Sequence, residues 1–79
     1  MTVDRFDHAP LYEQLAVILR AKIQAGELQP RELLPSESYL MQEHGLSRDT
    51  VRHALDLLRD EGLVQTFAGR GTFVSPPKD

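Results

Sequence analysis

Gly45-Leu46-Ser47 parts two stretches of helical spacing, and so short a break makes the two helices one unit. Glycine is favoured at the left-handed position that ends a helix, because it has no Cβ to clash there. Ser47 supplies the cap of the next helix, with Leu46 as the apolar plug between them. Downstream, Val51, Ala54, Leu55 and Leu58 recur at i, i+3, i+4 and i+7, which buries one face. Arg48 and Arg52 stand one turn apart on the flank left outside. Upstream, Ser36 is expected to cap a helix running to about His44, with Leu40 and Met41 turned inward. Glu37 is well placed against the positive end of that helix. Tyr39 holds the third helical position, so a reciprocal capping box is absent.

The remaining chain divides at its prolines and glycines. Residues 1–9 show no periodicity and are expected to be a mobile arm. Pro10 can open a helix at its first turn, where a missing N–H does no harm. Leu11, Tyr12, Leu15, Ile18, Leu19 and Ile23 then share one stripe, and Gly26 is the expected stop. This first helix reads as scaffold. Residues 27–35 form a connector broken by Pro30, in which Leu33-Leu34 can pair with a later hairpin. Gly62 ends the third helix. Residues 63–67 and 72–74 read as short strands around the turn Ala68-Gly69-Arg70-Gly71. Residues 75–79, with Pro76-Pro77, resemble the start of a linker.

Composition sets limits on function. Seventy-nine residues make one domain, near the lower size at which a core is stable without staples. The chain has no cysteine, which removes disulfides and thiolate chemistry and fits a reducing compartment. No apolar run approaches the roughly 20 residues that span a bilayer, so no membrane partner is expected. The first residues lack the charged and apolar regions of a signal peptide, and a cytoplasmic location is expected. His8, His44 and His53 lack metal-ligand spacing, and no nucleophile has a base and a third partner nearby. No enzyme activity, metal or cofactor is expected. The net charge of -3 runs against a nucleic-acid partner. Phosphate neutralisation, however, depends on charges within about a Debye length, roughly 8–10 Å, so local placement outweighs the sum.

Two helices joined by a short glycine-containing turn define a helix-turn-helix, whose second helix fits the major groove of DNA. That groove is about 12 Å wide, so contacts must come from the first two turns. Ser47, Arg48, Asp49, Thr50, Arg52 and His53 lie there. Arginine grips guanine bidentately or clamps a phosphate, and helix N-terminal amides favour anions. Arg48 and Arg52 repel each other slightly in free solution, which an anion lying over both relieves. The plain alternative pairs Arg52 with Asp49 and Asp56 along its own helix. For the hairpin, Gly69 and its neighbours can serve a tight turn alone. Beside a helix-turn-helix, a tip carrying Arg70 suits a narrow minor groove, with Gly69 letting the backbone approach its floor. A protein–protein module without DNA binding is the rival function, and the acidic balance permits it.

These residues resemble the N-terminal domain of the GntR family of bacterial transcription regulators. The resemblance rests on Pro10-Leu11-Tyr12, Leu19-Arg20, Gly26-Glu27-Leu28-Gln29-Pro30, Leu34-Pro35-Ser36-Glu37, Gly45-Leu46-Ser47-Arg48, Thr50-Val51-Arg52, Ala54-Leu55, Glu61-Gly62-Leu63-Val64 and Gly69-Arg70-Gly71-Thr72-Phe73-Val74. It implies a mainly α fold with a small β-hairpin over residues 10–75, a winged helix-turn-helix of three helices and a two- or three-stranded wing. It implies a repressor that binds double-stranded DNA at palindromic operators as a homodimer. It carries DNA contact to Ser47, Arg48, Thr50, Arg52 and Gly69, and Arg70 joins them as a candidate; Ser36, Ser38, Asp49 and His53 are weaker candidates by their place beside these residues. The chain departs from the family at Arg31, where glycine is common, at Ser38, often an arginine, and at Ala68, often polar. Lower affinity, or specificity resting more on the third helix, is the expected consequence. Family members usually add a domain that binds a small-molecule effector. Residues 76–79 are expected to begin the linker to such a domain, or to be a C-terminal tail.

Overall fold

A computed structural model describes residues 3–77, in which α1 (Leu11–Gln24), α2 (Glu37–His44) and α3 (Arg48–Asp60) precede the strands β1 (Val64–Phe67) and β2 (Gly71–Val74). Met1 and Thr2 of the expected arm, and Lys78 and Asp79 of the expected linker, lie outside the described residues. Pro10 is the cap of α1 rather than its first residue, with an extended ψ of 147°. Its carbonyl accepts from the Gln14 amide at 3.1 Å, so the ring sits just before the helix. Along α1, Leu15, Ala16, Ile18 and Leu19 are buried as the spacing requires. Residues 3–9 form no helix or strand. Gln14 Nε2 donates to the Asp4 and Ala9 carbonyls at 2.9 and 2.8 Å, and the Arg5 guanidinium donates to the Gly45 carbonyl.

The turn between α2 and α3 takes the form expected of it. Ser36 Oγ accepts from the Tyr39 amide at 3.1 Å, and Ser47 Oγ accepts from Thr50 at 3.2 Å. Gly45 adopts φ +64°, ψ 41°, a left-handed geometry that strains any residue with a Cβ. The Leu46 amide then donates back to the Met41 carbonyl at 3.0 Å, and its side chain drops into the core. Val51, Ala54, Leu55 and Leu58 are all buried, so α3 gives one whole face to the interior. α1 crosses that face, α2 closes one side, and Leu34, Val64 and Val74 close the other. His44, at the end of α2, is also buried, with Nε2 3.7 Å from the Glu43 carboxylate.

The strands pair antiparallel in the register Val64 with Val74, Gln65 with Phe73, Thr66 with Thr72 and Phe67 with Gly71. The turn is one residue shorter than expected. Gly71 belongs to β2, and the Arg70 amide closes the bend on the Phe67 carbonyl at 2.9 Å. Leu33 bridges to Phe73, and the Leu34 amide donates to Thr72 at 2.8 Å, so the connector does pair with the hairpin.

Arg20 on α1 clasps Glu61 just beyond α3, Nε and Nη2 donating to its carboxylate at 2.9 and 2.7 Å. These bonds hold the Glu61 carboxyl below its ordinary value and raise the Arg20 guanidinium. A carboxylate with a depressed folded-state value stabilises the fold above its unfolded value and loses that contribution as pH falls through the folded one. Glu61→Gln is therefore expected to flatten the loss of stability below about pH 4.5, seen as a smaller drop in thermal midpoint on acidification. An identical drop in both proteins assigns acid sensitivity elsewhere.

Candidate nucleic-acid interface

α3 presents its first two turns outward because its other face is fixed in the core. Arg48 and Arg52 keep 51% and 56% of their side-chain surface exposed, so neither cation folds inward. Both meet the same carboxylate. Glu37, the first residue of α2, lies 3.4 Å from Arg48 Nη1 and 3.2 Å from Arg52 Nε. Helical side chains lean toward the N-terminus of their own helix, and there α2 begins alongside α3. The two arginines are thus held side by side, with a summed charge of about +1 once Glu37 is counted. Arg52 hydrogen-bonds Glu37 through Nε, and the guanidinium fork is the shape that matches the edge of guanine.

Glu37 thus holds both arginines, a contact that its place against the helix dipole does not disclose. The alternative partners for Arg52 are not used: Asp56 instead takes Arg59 at 2.6 Å. Ser47 Oγ and Thr50 Oγ1 lie 2.9 Å apart at the positive end of α3. A trough of about 480 Å³ between the start of α2 and the hairpin brings together Ser36, Ser38, Arg48, Thr66, Gly69 and Arg70. Asp49, Thr50 and His53 fall on the other flank of α3, beside Leu11 and Tyr12. Tyr12 and His53 stack face to face with ring centroids 3.6 Å apart and planes within 9°. Helical spacing had placed Tyr12 with the core stripe, whereas its ring is only half-buried and lies against α3.

The hairpin is aimed by a polar chain that sequence alone did not disclose. Arg59 Nη2 donates to Thr66 Oγ1 at 2.9 Å, and Thr66 Oγ1 lies 3.0 Å from Thr72 Oγ1. α3 and both strands are thereby locked in one orientation. At the tip, Gly69 has φ +76° and open space where a Cβ would stand. Arg70 beside it is exposed and has no ion-pair partner among the described residues. Among the described residues no acid, histidine and cysteine cluster could hold a metal, and no helix is long and apolar enough to cross a membrane.

Three helices followed by a hairpin tied to the third make a winged helix-turn-helix. Residues 11–74 match the family described as bacterial regulatory proteins, gntR family, and the chain belongs to the GntR family. It is 46% identical over 78 residues to the HTH-type transcriptional repressor NagR of Bacillus subtilis, covering 99% of this chain and 32% of NagR. To the mannosyl-D-glycerate transport/metabolism system repressor MngR of Escherichia coli it is 46% identical over 67 residues, covering 85% of this chain and 28% of MngR. The chain thus spans about a third of the length of these curated relatives. Its fold superposes on AraR(DBD), solved in complex with operator ORX1, with a TM-score of 0.88, 32% identity and 95% of each chain covered.

Proposed function

We propose that this domain binds double-stranded operator DNA in a sequence-specific manner and represses transcription, as a cytoplasmic regulator paired on palindromic sites. α3 enters the major groove and the hairpin tip enters the adjoining minor groove. The observation that carries this reading is the pair Arg48 and Arg52, both exposed and both held by Glu37 on the outer face of a helix whose inner face is core. Such preorganisation lowers the entropy lost when the side chains engage a base. Arg52 offers its fork to guanine, while Arg48, Ser47 and Thr50 take phosphates at the end of α3. Ser36 and Ser38 line the same trough and add hydroxyl contacts, and Asp49 and His53 flank the helix on its far side. Gly69 brings backbone close to the minor-groove floor and Arg70 reaches into its negative potential. The likeness to AraR(DBD), seated on its operator, supports this docking.

A salt titration of duplex binding tests the proposal. Log affinity should fall linearly with log salt, with a slope of about -0.9 for each phosphate neutralised. Binding that ignores salt, or no duplex binding at all, returns the domain to the protein–protein reading. Arg70→Ala should weaken sites with A·T-rich flanks more than sites with G·C-rich flanks, measured by competition between the two duplexes. Equal losses on both make Arg70 a phosphate contact only.

A further inference from the structure

Arg31 is the only non-glycine residue with a positive φ among the described residues, at +69°. Its backbone is held there by β2: the Arg31 amide donates to the Val74 carbonyl at 2.8 Å, and Val74 donates to Glu32 at 2.9 Å. Glycine fits such a geometry freely, whereas a long L side chain is strained in it. Strain kept at one residue points from an observed outlier to a use for its side chain. That side chain lines a cleft of about 320 Å³ with Gln65, Phe67, Arg70, Phe73 and Pro76. The cleft lies on the hairpin face of Gln65, Phe67 and Phe73 and reaches Val74 at its edge, while Val64, Thr66 and Thr72 turn toward the core and Arg59. Phe67 and Phe73 meet edge to face at 5.9 Å and form its floor.

Both cations that line this cleft are free. Arg20, Arg48, Arg52 and Arg59 all sit in ion pairs, but Arg31 and Arg70 have none among the described residues. Free cations beside an aromatic surface suit a nucleic-acid strand, whose phosphates are separated by apolar sugar faces. We propose that this outer cleft is a second DNA contact, which takes the sugar–phosphate backbone of the strand bordering the groove that the hairpin tip enters. Arg31 neutralises a phosphate of that strand, outside the groove that Arg70 enters, and Phe67 and Phe73 cover the adjoining sugars. The assignment rests on the DNA-binding reading above and extends its footprint beyond α3 and the hairpin tip.

Arg31→Gly separates the charge from the fold, since it removes the side chain and relieves the backbone. Its thermal midpoint should match or exceed that of the natural chain. Its affinity for duplex should fall about 8-fold at 0.1 M salt, with the salt slope shallower by about 0.9. Arg31→Lys retains the charge on the same strained backbone and should keep the natural slope. Phe67→Ala should weaken binding with no change in slope, because it removes an uncharged contact. Natural affinity and slope in Arg31→Gly overturn the outer cleft while leaving operator binding intact, and leave that cleft to an uncharged or protein ligand. A natural chain that shows no salt-dependent duplex binding removes both readings together.

Discussion

Arg52→Ala is expected to weaken binding to the preferred operator by about 1–3 kcal/mol, roughly 5- to 150-fold. The upper half of that range is favoured by Glu37. With Arg52 gone, its carboxylate keeps only the longer contact to Arg48 and turns a partly uncompensated negative charge toward the groove. The loss should be concentrated on duplexes that offer guanine to Arg52. On unrelated duplexes only the general attraction to phosphate is lost, so specificity falls along with affinity. Folding stability should change by less than about 0.5 kcal/mol, because the side chain is more than half exposed and its ion pair lies at the surface. Titration of preferred and scrambled duplexes gives both numbers. An unchanged affinity for the preferred operator takes Arg52 out of base reading.

Leu58→Ala should act on the same helix from its other side. Leu58 has no solvent exposure and sits in the cluster shared by α1, α3 and the hairpin. Removing its side chain loses transfer energy and leaves a cavity, together about 2–5 kcal/mol. A domain of this size commonly holds about 4–12 kcal/mol in all, at 0.05–0.15 kcal/mol per residue. At the middle of both ranges, about two fifths of the total is thereby at stake. Urea unfolding should show a lower midpoint at an unchanged slope. DNA binding should then decline only as far as the folded fraction does, since Leu58 touches no part of the outer face. A loss below about 1 kcal/mol means that the inner face of α3 is not the keystone of the core.

What could be read in advance was local. Gly45, Ser36 and Ser47 act within four residues of themselves, and α3 repeats its apolar side chains at one spacing, so caps, turn and inner face followed from order alone. The contacts that were missed cross between elements. Glu37 reaches Arg48 and Arg52 over 11 and 15 residues, and no periodicity along one helix reveals a partner on another. For the same reason the alternative partners that chain order offers Arg52, Asp49 and Asp56, are ones that share its helix. Tyr12 obeys the spacing of the α1 stripe and packs against the core, yet at the stripe's edge its ring also stacks on His53 of α3, a contact that spacing along α1 does not reveal. Arg59 and Thr66 find each other only once the strand has folded back. Gly71 was placed in the turn because glycine suits a bend, but cross-strand pairing with Phe67 claims it for β2. The sequence marked Arg31 as a departure at a position that favours glycine. Its left-handed φ shows that the backbone kept the geometry glycine favours and carries the arginine on it.

Selection of bound sites from a pool of random duplexes tests base reading by α3 most directly. The expected product is a palindrome with guanine fixed at one position of each half-site, and that preference should vanish when the selection is repeated with Arg52→Ala. A bound pool no different from the starting pool, or a guanine preference that survives the substitution, contradicts the account.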